Sequence, residues 1–158
     1  MTTGDPAGNA PAAGQAALTD VLVQATFMTM AVLSSVAADN DLSLTQLRVL
    51  AILRDRRARM SALAAYLGLD RSTMSGLIER AEKRGLVARA PDPGDGRAVE
   101  VFLTREGAEL AGALYTRIDQ ELAPATNRLA PAQRRRLHAL LRQLAGPDGS
   151  PQHHRLRL

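Results

Sequence analysis

The chain has 158 residues, enough for one well-packed core, and no stretch of it is long enough to form a second domain. It contains no cysteine, which excludes disulfides, thiolate metal sites and thiol-based redox sensing. The net charge is +4, but positions 43 to 105 hold 12 basic and 7 acidic residues, whereas the flanks together hold 8 and 9. This distribution predicts a central module that binds a polyanion, with a merely solvated Arg-rich surface as the alternative.

The N-terminal part divides into an arm and a helix. Residues 1–16 are rich in Gly, Pro, Ala and Thr and are predicted to be a disordered arm. Apolar residues then recur at helical spacing and predict a helix from about Ala17 to Ala38, within a segment that ends at position 42. Polar residues interrupt this stretch and no basic segment precedes it, so we interpret it neither as a membrane span nor as a signal peptide.

The next segment contains signals for two short helices. Ser43 and Gln46 have the spacing of a capping box ahead of a second apolar-striped helix that is expected to end near Arg56. Residues 61–67 predict a short third helix, which Gly68 ends.

Residues 71–84 predict a fourth helix with two different faces. Asp70 is placed to cap it by accepting a hydrogen bond from the backbone N–H of Thr73. One face is apolar, and the face of the first two turns is small and polar. The apolar face consists of Met74, Leu77, Ile78 and Ala81. Gly85 is the predicted stop, with Leu86 folding back on the helix.

A hairpin and two helices complete the chain. Residues 86–90 and 99–103 predict two short strands around a turn rich in Gly, Pro and Asp. Thr104 is expected to cap a helix that runs to about Leu122, and Pro131 opens a last helix that Gly146 stops. Residues 146–158 are predicted to form a flexible tail. The stripe of the last helix consists of Leu137, Leu140, Leu141 and Leu144.

This order of elements describes a mainly α fold with a small β-hairpin wing, a winged helix-turn-helix, between flanking helices. A helix that enters the major groove of DNA needs a narrow tip, which small polar residues provide, and basic side chains for bases and phosphates. Glu79 could accept from a cytosine amino group or hold a neighbouring Arg. In the hairpin, Arg97 is the cation suited to a minor groove, and Asp95 is placed to pair with it. The predicted DNA-binding residues are Ser61, Arg71, Ser72, Thr73, Ser75, Gly76, Glu79, Arg80, Asp95 and Arg97.

At these positions the sequence resembles the MarR family of regulators. The matching residues are Leu63-Ala64, Leu67, Ser72-Thr73-Met74-Ser75, Leu77-Ile78-Glu79-Arg80-Ala81-Glu82, Gly85-Leu86-Val87, Arg89, Asp92-Pro93, Asp95, Arg97, Leu103-Thr104 and Gly107. Motif identity spans positions 63 to 107, and the helix order agrees over about 17 to 145. Many members have a basic residue where this chain has Gly96, which removes one phosphate contact from the wing.

The resemblance implies a homodimer on a pseudopalindromic double-stranded DNA operator. Residues 17–42 and 105–145 would then form dimerisation helices, and residues 43–104 the DNA-binding lobe. It also implies a repressor that responds to a small phenolic or aromatic carboxylate bound between the dimer region and the lobe. The candidate pocket residues are Phe27, Met30, Arg48, Tyr66 and Tyr115, with Leu47 beside them. An aromatic residue or Met at helical spacing is more often a core residue than a pocket residue, so a core role is the alternative for these positions.

Other functions are less consistent with the sequence. An enzyme would need converging titratable groups, and the sequence contains neither a Gly-x-Ser-x-Gly motif nor a phosphate-binding glycine loop. We therefore predict no catalytic residues, no metal site and no cofactor. A winged-helix protein-protein adaptor would have no use for the central charge. A constitutive or nucleoid-type DNA binder without a ligand stays open. A bacterial protein of the cytoplasm, with no membrane partner, is expected.

Overall fold

A computed structural model describes residues 10–146. Within this range the chain forms six helices and one antiparallel sheet whose strands lie in the order β1-β3-β2. The helices are α1 (Ala10–Ala38), α2 (Leu44–Leu53), α3 (Met60–Leu67), α4 (Arg71–Lys83), α5 (Arg105–Thr126) and α6 (Pro131–Ala145). The strands are β1 (Ala58–Arg59), β2 (Val87–Asp92) and β3 (Asp95–Leu103). The predicted fold class, mainly helical with a hairpin wing, is confirmed.

The N-terminal helix differs from its prediction at the start. It begins at Ala10 and ends, as predicted, at Ala38, so the expectation of disorder is wrong for residues 10–16. Alanine has the highest helix propensity and occurs four times in this segment, and proline is compatible with a first helical turn. The rest of the predicted arm, residues 1–9, and the predicted tail from 147 onward lie outside the described residues.

The helix-start signals correspond to observed hydrogen bonds. Ser43 Oγ accepts from the N–H of Gln46 at 3.1 Å, and Gln46 Oε1 accepts from the N–H of Ser43 at 2.8 Å, which forms the predicted capping box. Thr104 Oγ1 accepts from the N–H of Gly107 at 3.0 Å and caps α5. Because these bonds fix the first turn of each helix, the chain direction into α2 and α5 is set locally.

One hydrophobic core connects α2, α3, α4, the base of the sheet and the middle of α5. The C-terminal end of α1 joins it through Val36 and Ala37. The four residues predicted for the inner face of α4 are all buried, and they are Met74, Leu77, Ile78 and Ala81. The core therefore holds α4 by one face and leaves the other toward solvent.

The hairpin has a tighter turn than expected. Its strands pair from Val87 opposite Leu103 to Asp92 opposite Asp95, so only two residues lie between the strands. The strand β1 was not predicted, because two residues carry no periodic signal and gain their pairing only from β3. We call β2, β3 and the turn between them the wing.

Two helices expose apolar surface. Phe27 on α1 is 71% exposed and Leu144 on α6 is 67% exposed, and no residue of α6 is buried. The stretch Gly14–Ala38 of α1 is long and apolar enough, by length and composition, to cross a membrane, with a mean hydropathy of 1.8. No membrane span was predicted here, because polar residues interrupt the apolar stretch. Two of them, Thr26 and Thr29, donate their hydroxyls to backbone carbonyls one turn earlier.

Candidate nucleic-acid interface

The N-terminus of α4 is organised by one carboxylate. Asp70 accepts from the N–H of Thr73 at 2.9 Å, which confirms the predicted cap, and also from the hydroxyls of Ser72 and Thr73. These hydrogen bonds, with that of Ser72 the largest contribution, hold the pKa of Asp70 well below its usual range. Ser72 and Thr73 are exposed, as predicted, but their hydroxyl hydrogens are engaged, so in this arrangement they face a ligand as acceptors.

The outer face of α4 carries the other predicted contacts. Ser75, Glu79 and Arg80 are exposed, and Gly76 is partly buried among them. A Cβ at Gly76 would meet only the Arg80 guanidinium, at 3.5 Å, so the surface above this glycine is open. Glu79 binds Lys83 at 2.9 Å rather than an arginine, and this contact lowers the pKa of Glu79.

The wing turn is held by Asp92, which matches the family pattern but received no role from the sequence. Asp92 is 7% exposed, and its Oδ1 accepts from the N–H groups of Gly94 at 2.7 Å and Asp95 at 3.0 Å. Its other oxygen accepts from Nε of Arg59, which lies in β1. The Arg59 guanidinium, followed by the Gly94 amide, lowers the pKa of Asp92. An ion pair thus ties the wing turn to the start of α3.

The predicted pairing of Asp95 with Arg97 takes another form. The Asp95 carboxylate accepts from the backbone N–H of Arg97 at 3.1 Å, and no ion pair joins their side chains within residues 10–146. The prediction of a side-chain pair is therefore wrong, because the tight turn directs the carboxylate to the nearest amide. Arg97 lies in β3, three residues after the two-residue turn, and is exposed.

A groove of about 930 Å³ separates α3 and the start of α4 from the wing. Five predicted residues line it: Ser61, Arg71, Ser75, Asp95 and Arg97. Arg89 of β2 lines it too and forms an ion pair with Glu82 of α4. Three guanidinium groups around one concave surface suit the phosphates of a nucleic acid backbone, since arginine binds phosphate oxygens in a two-pronged geometry.

Arg89 matches the family pattern, but the sequence assigned it no role. Neither Arg59 nor Arg89 could be assigned a partner from periodicity. For Arg59 the sequence did contain a signal: residues 54–59 include four arginines, more than an ordinary helix end carries.

The predicted ligand residues lie in three different surroundings. Arg48 Cζ lies 5.5 Å from the ring centroid of Tyr66. Arg54 Cζ lies 3.9 Å from the ring centroid of Tyr115. Phe27 and Met30 are exposed on α1. None of the five lines the groove beside the wing. Their role in ligand binding stays a prediction.

Comparison with known proteins gives a consistent result. Residues 40–98 match the model of the MarR family. The transcriptional repressor NicR of Pseudomonas putida is 34% identical over 119 residues, which cover 75% of this chain and 75% of NicR. The structure of Bordetella bronchiseptica BpsR, whose DNA binding is regulated by 6-hydroxynicotinic acid, is 30% identical with a TM-score of 0.64 over 80% of this chain and 91% of BpsR. Regulator Tm0710 of Thermotoga maritima is 27% identical, with a TM-score of 0.63 over 82% and 92% of the two chains.

Proposed function

Since the chain belongs to the MarR family of transcriptional regulators, we propose that it is a homodimeric repressor that binds a pseudopalindromic operator and is released by a small aromatic carboxylate or phenol. Members of this family are non-enzymatic DNA-binding proteins, so the chain is a regulator and not an enzyme. The observation that carries the proposal is the convergence of the polar face of α4 and the groove arginines on one surface.

The proposed DNA complex follows from this surface. The exposed face of α4 enters the major groove, where Arg80 and Glu79 reach base edges. Arg71 and Arg89 line the protein groove between α4 and the wing and bind backbone phosphates of the DNA. These contacts position the lobe without reading sequence. Arg97 extends from the wing turn into the flanking minor groove. Gly94 in the turn and Gly96 near the start of β3 add no charge to this end of the wing, so the wing contact rests on Arg97.

The dimer is proposed from the two exposed apolar helices. Within the described part of α1, Asp20 is the one charged residue, and the leucine stripe of α6 is open to solvent. Two copies that pack these helices together would remove both surfaces from water, at about 25 cal/mol per Å² of apolar area. Because family members act as dimers, we favour this occupant of α1 over a membrane, and we place the protein in the cytoplasm with its DNA.

The ligand part of the proposal rests on the relatives and on two pairs of side chains. An aromatic carboxylate needs a ring surface and a cation, and the pairs Arg48 with Tyr66 and Arg54 with Tyr115 each offer both. Arg48 lies in α2 and Arg54 directly follows the last residue of that helix, which packs against α1 and α5. A ligand there would change the spacing of the two lobes only as far as it prefers one spacing over the other.

The test is fluorescence anisotropy of the full chain on DNA from upstream of its own gene, against scrambled DNA of equal length, over a salt series. We expect selective binding with a steep negative salt dependence. Addition of 6-hydroxynicotinic acid should lower the affinity, whereas 6-hydroxynicotinamide, which lacks the carboxylate, should not.

The outcomes separate the parts of the proposal. Equal and weak binding to both DNAs would contradict the specific regulator. Selective binding that neither this acid nor a panel of hydroxybenzoates changes would contradict the ligand and indicate a constitutive DNA binder. If the acid and the amide, added separately, both release the DNA, the role of a guanidinium in ligand recognition is contradicted.

A further inference from the structure

The C-terminal end of α4 forms a junction with two other parts of the chain, the start of α5 and the turn that follows α1. Gly85 has φ +70° and ends the helix, the N–H of Leu86 donates to Ala81 O at 3.0 Å, and the N–H of Gly85 donates to Glu82 O at 2.8 Å. This is a Schellman arrangement, which fixes the direction of the chain as it leaves the helix. Since Leu86 is buried, the end of α4 is also anchored to the core.

On one side of the junction, α5 is in direct backbone contact. The Thr104 hydroxyl donates to Gly85 O, and the Thr104 N–H donates to Leu86 O at 3.1 Å. A Cβ at Gly107 would lie 1.8 Å from Leu86 O, so only glycine allows this approach. The first turn of α5 therefore lies against the end of α4 with no side chain between them.

On the other side, a single side chain makes the connection. Two nitrogens of the Arg84 guanidinium donate to the carbonyls of Asp41, at 2.7 Å, and Asn40, at 3.1 Å. These carbonyls belong to the turn at which α1 ends, 43 and 44 residues earlier in the chain. Asp41 has φ +53°, and among residues 10–146 it alone combines a side chain with positive φ. The planar fork of arginine can bind two adjacent carbonyls at once, whereas an ammonium group is a point donor.

We propose that Arg84 is a positioning residue that fixes the orientation of the recognition helix α4 relative to the N-terminal helix α1. The Arg84 contact and the α5 contact are made within three consecutive residues at the same helix end, so this end of α4 is bound to both α1 and α5. The consequence for DNA binding rests on the proposed dimeric regulator. Because α1 is one of the two helices proposed to pack against the second copy, Arg84 determines which spacing between operator half-sites the dimer accepts.

The first test measures orientation without DNA. The chain has no cysteine, so spin labels attach only at introduced sites, here Ser34→Cys on α1 and Ser75→Cys on α4. Labelled chain is mixed with excess unlabelled chain, and the distance distribution is measured by pulsed electron resonance. We expect Arg84→Ala to broaden or shift the distribution, Arg84→Lys to have an intermediate effect, and Lys83→Ala, which removes the same charge one residue earlier, to leave it unchanged. A distribution in Arg84→Ala that coincides with the parent would overturn the proposal.

The second test uses operators whose half-site separation varies in single base pairs. We expect Arg84→Ala to bind the optimal spacing about fivefold less tightly, the loss of two modest hydrogen bonds, and neighbouring spacings nearly as well as before. Lys83→Ala should lower the affinity for operators of every spacing by the same factor. A uniform loss in Arg84→Ala would overturn the role in spacing. Absence of selective binding by the parent protein would refute the regulator, and the distance measurement would still decide the orientation role.

Discussion

Single arginine side chains connect segments of this chain that lie far apart in sequence. Asp92 and Arg59 are 33 residues apart, and Arg84 reaches carbonyls more than 40 residues away. Helix caps, by contrast, join residues three positions apart, which explains why Ser43, Asp70 and Thr104 could be assigned from sequence. The long-range partners could not be predicted, since many arginines and carboxylates compete and only the fold brings particular ones together.

Asp92 should give the wing a dependence on acid. Its pKa is lowered from 3.8 in the folded chain, chiefly by Arg59, so its contribution to stability is present above pH 3.8 and is lost as pH falls further. Asp92→Asn keeps an oxygen for the Gly94 and Asp95 amides and removes only the charge. We expect the variant to have a lower urea midpoint at pH 6 and a weaker decline toward pH 3.

The wing amides provide a local check of the same prediction. Hydrogen exchange at Gly94 and Asp95 should accelerate in Asp92→Asn at neutral pH, while the buried amides of α4 stay protected. Parallel pH profiles of the parent and the variant would show that the ion pair with Arg59 does not contribute to folding.

Arg97 is expected to supply the wing contact with DNA. Arg97→Ala should weaken binding to operator and scrambled DNA by a similar factor, on the order of tenfold, and reduce the salt slope by about 1. Dimerisation should be unaffected, because Arg97 lies in the wing and not on α1 or α6. Arg117→Ala, which removes a charge from α5, is the matched control. Unchanged affinity in Arg97→Ala would show that the wing does not bind DNA.

At the scale of elements, periodicity predicted the helices better than the strands. The inner face of α4 was assigned residue by residue because four apolar positions repeat with the helical period. The start of α1 was misplaced, since a Gly- and Pro-containing composition suggested disorder where alanines continue the helix. The two-residue strand β1 has no local signal and forms only through its pairing with β3.

The helix α6 should be essential for association. Leu140→Asp places a charge in the exposed leucine stripe, where a dimer interface would bury it without a partner. We expect sedimentation equilibrium to show monomers of this variant. Ala139→Asp adds the same charge to the opposite face of α6 and should remain dimeric. A dimeric Leu140→Asp chain would mean that α6 lies outside the interface.

At the scale of the whole molecule, polar and apolar surfaces are separated. The groove arginines lie on the lobe built from residues 43–104, and the exposed apolar residues lie mostly on α1 and α6. The charge distribution along the sequence predicted the first surface. The ligand site was not predictable to the same degree, because the five candidate residues come from four helices whose arrangement with a second copy the sequence does not specify.

The exposure of every residue of α6 has a consequence for the abundance of the protein in the cell. If association with a second copy is what covers this helix, folding and assembly are linked by mass action, and the melting temperature rises with protein concentration. A regulator kept at few copies would then spend part of its time as separate chains with apolar helices open to proteases. Its copy number would set not only the occupancy of its operator but also its own lifetime.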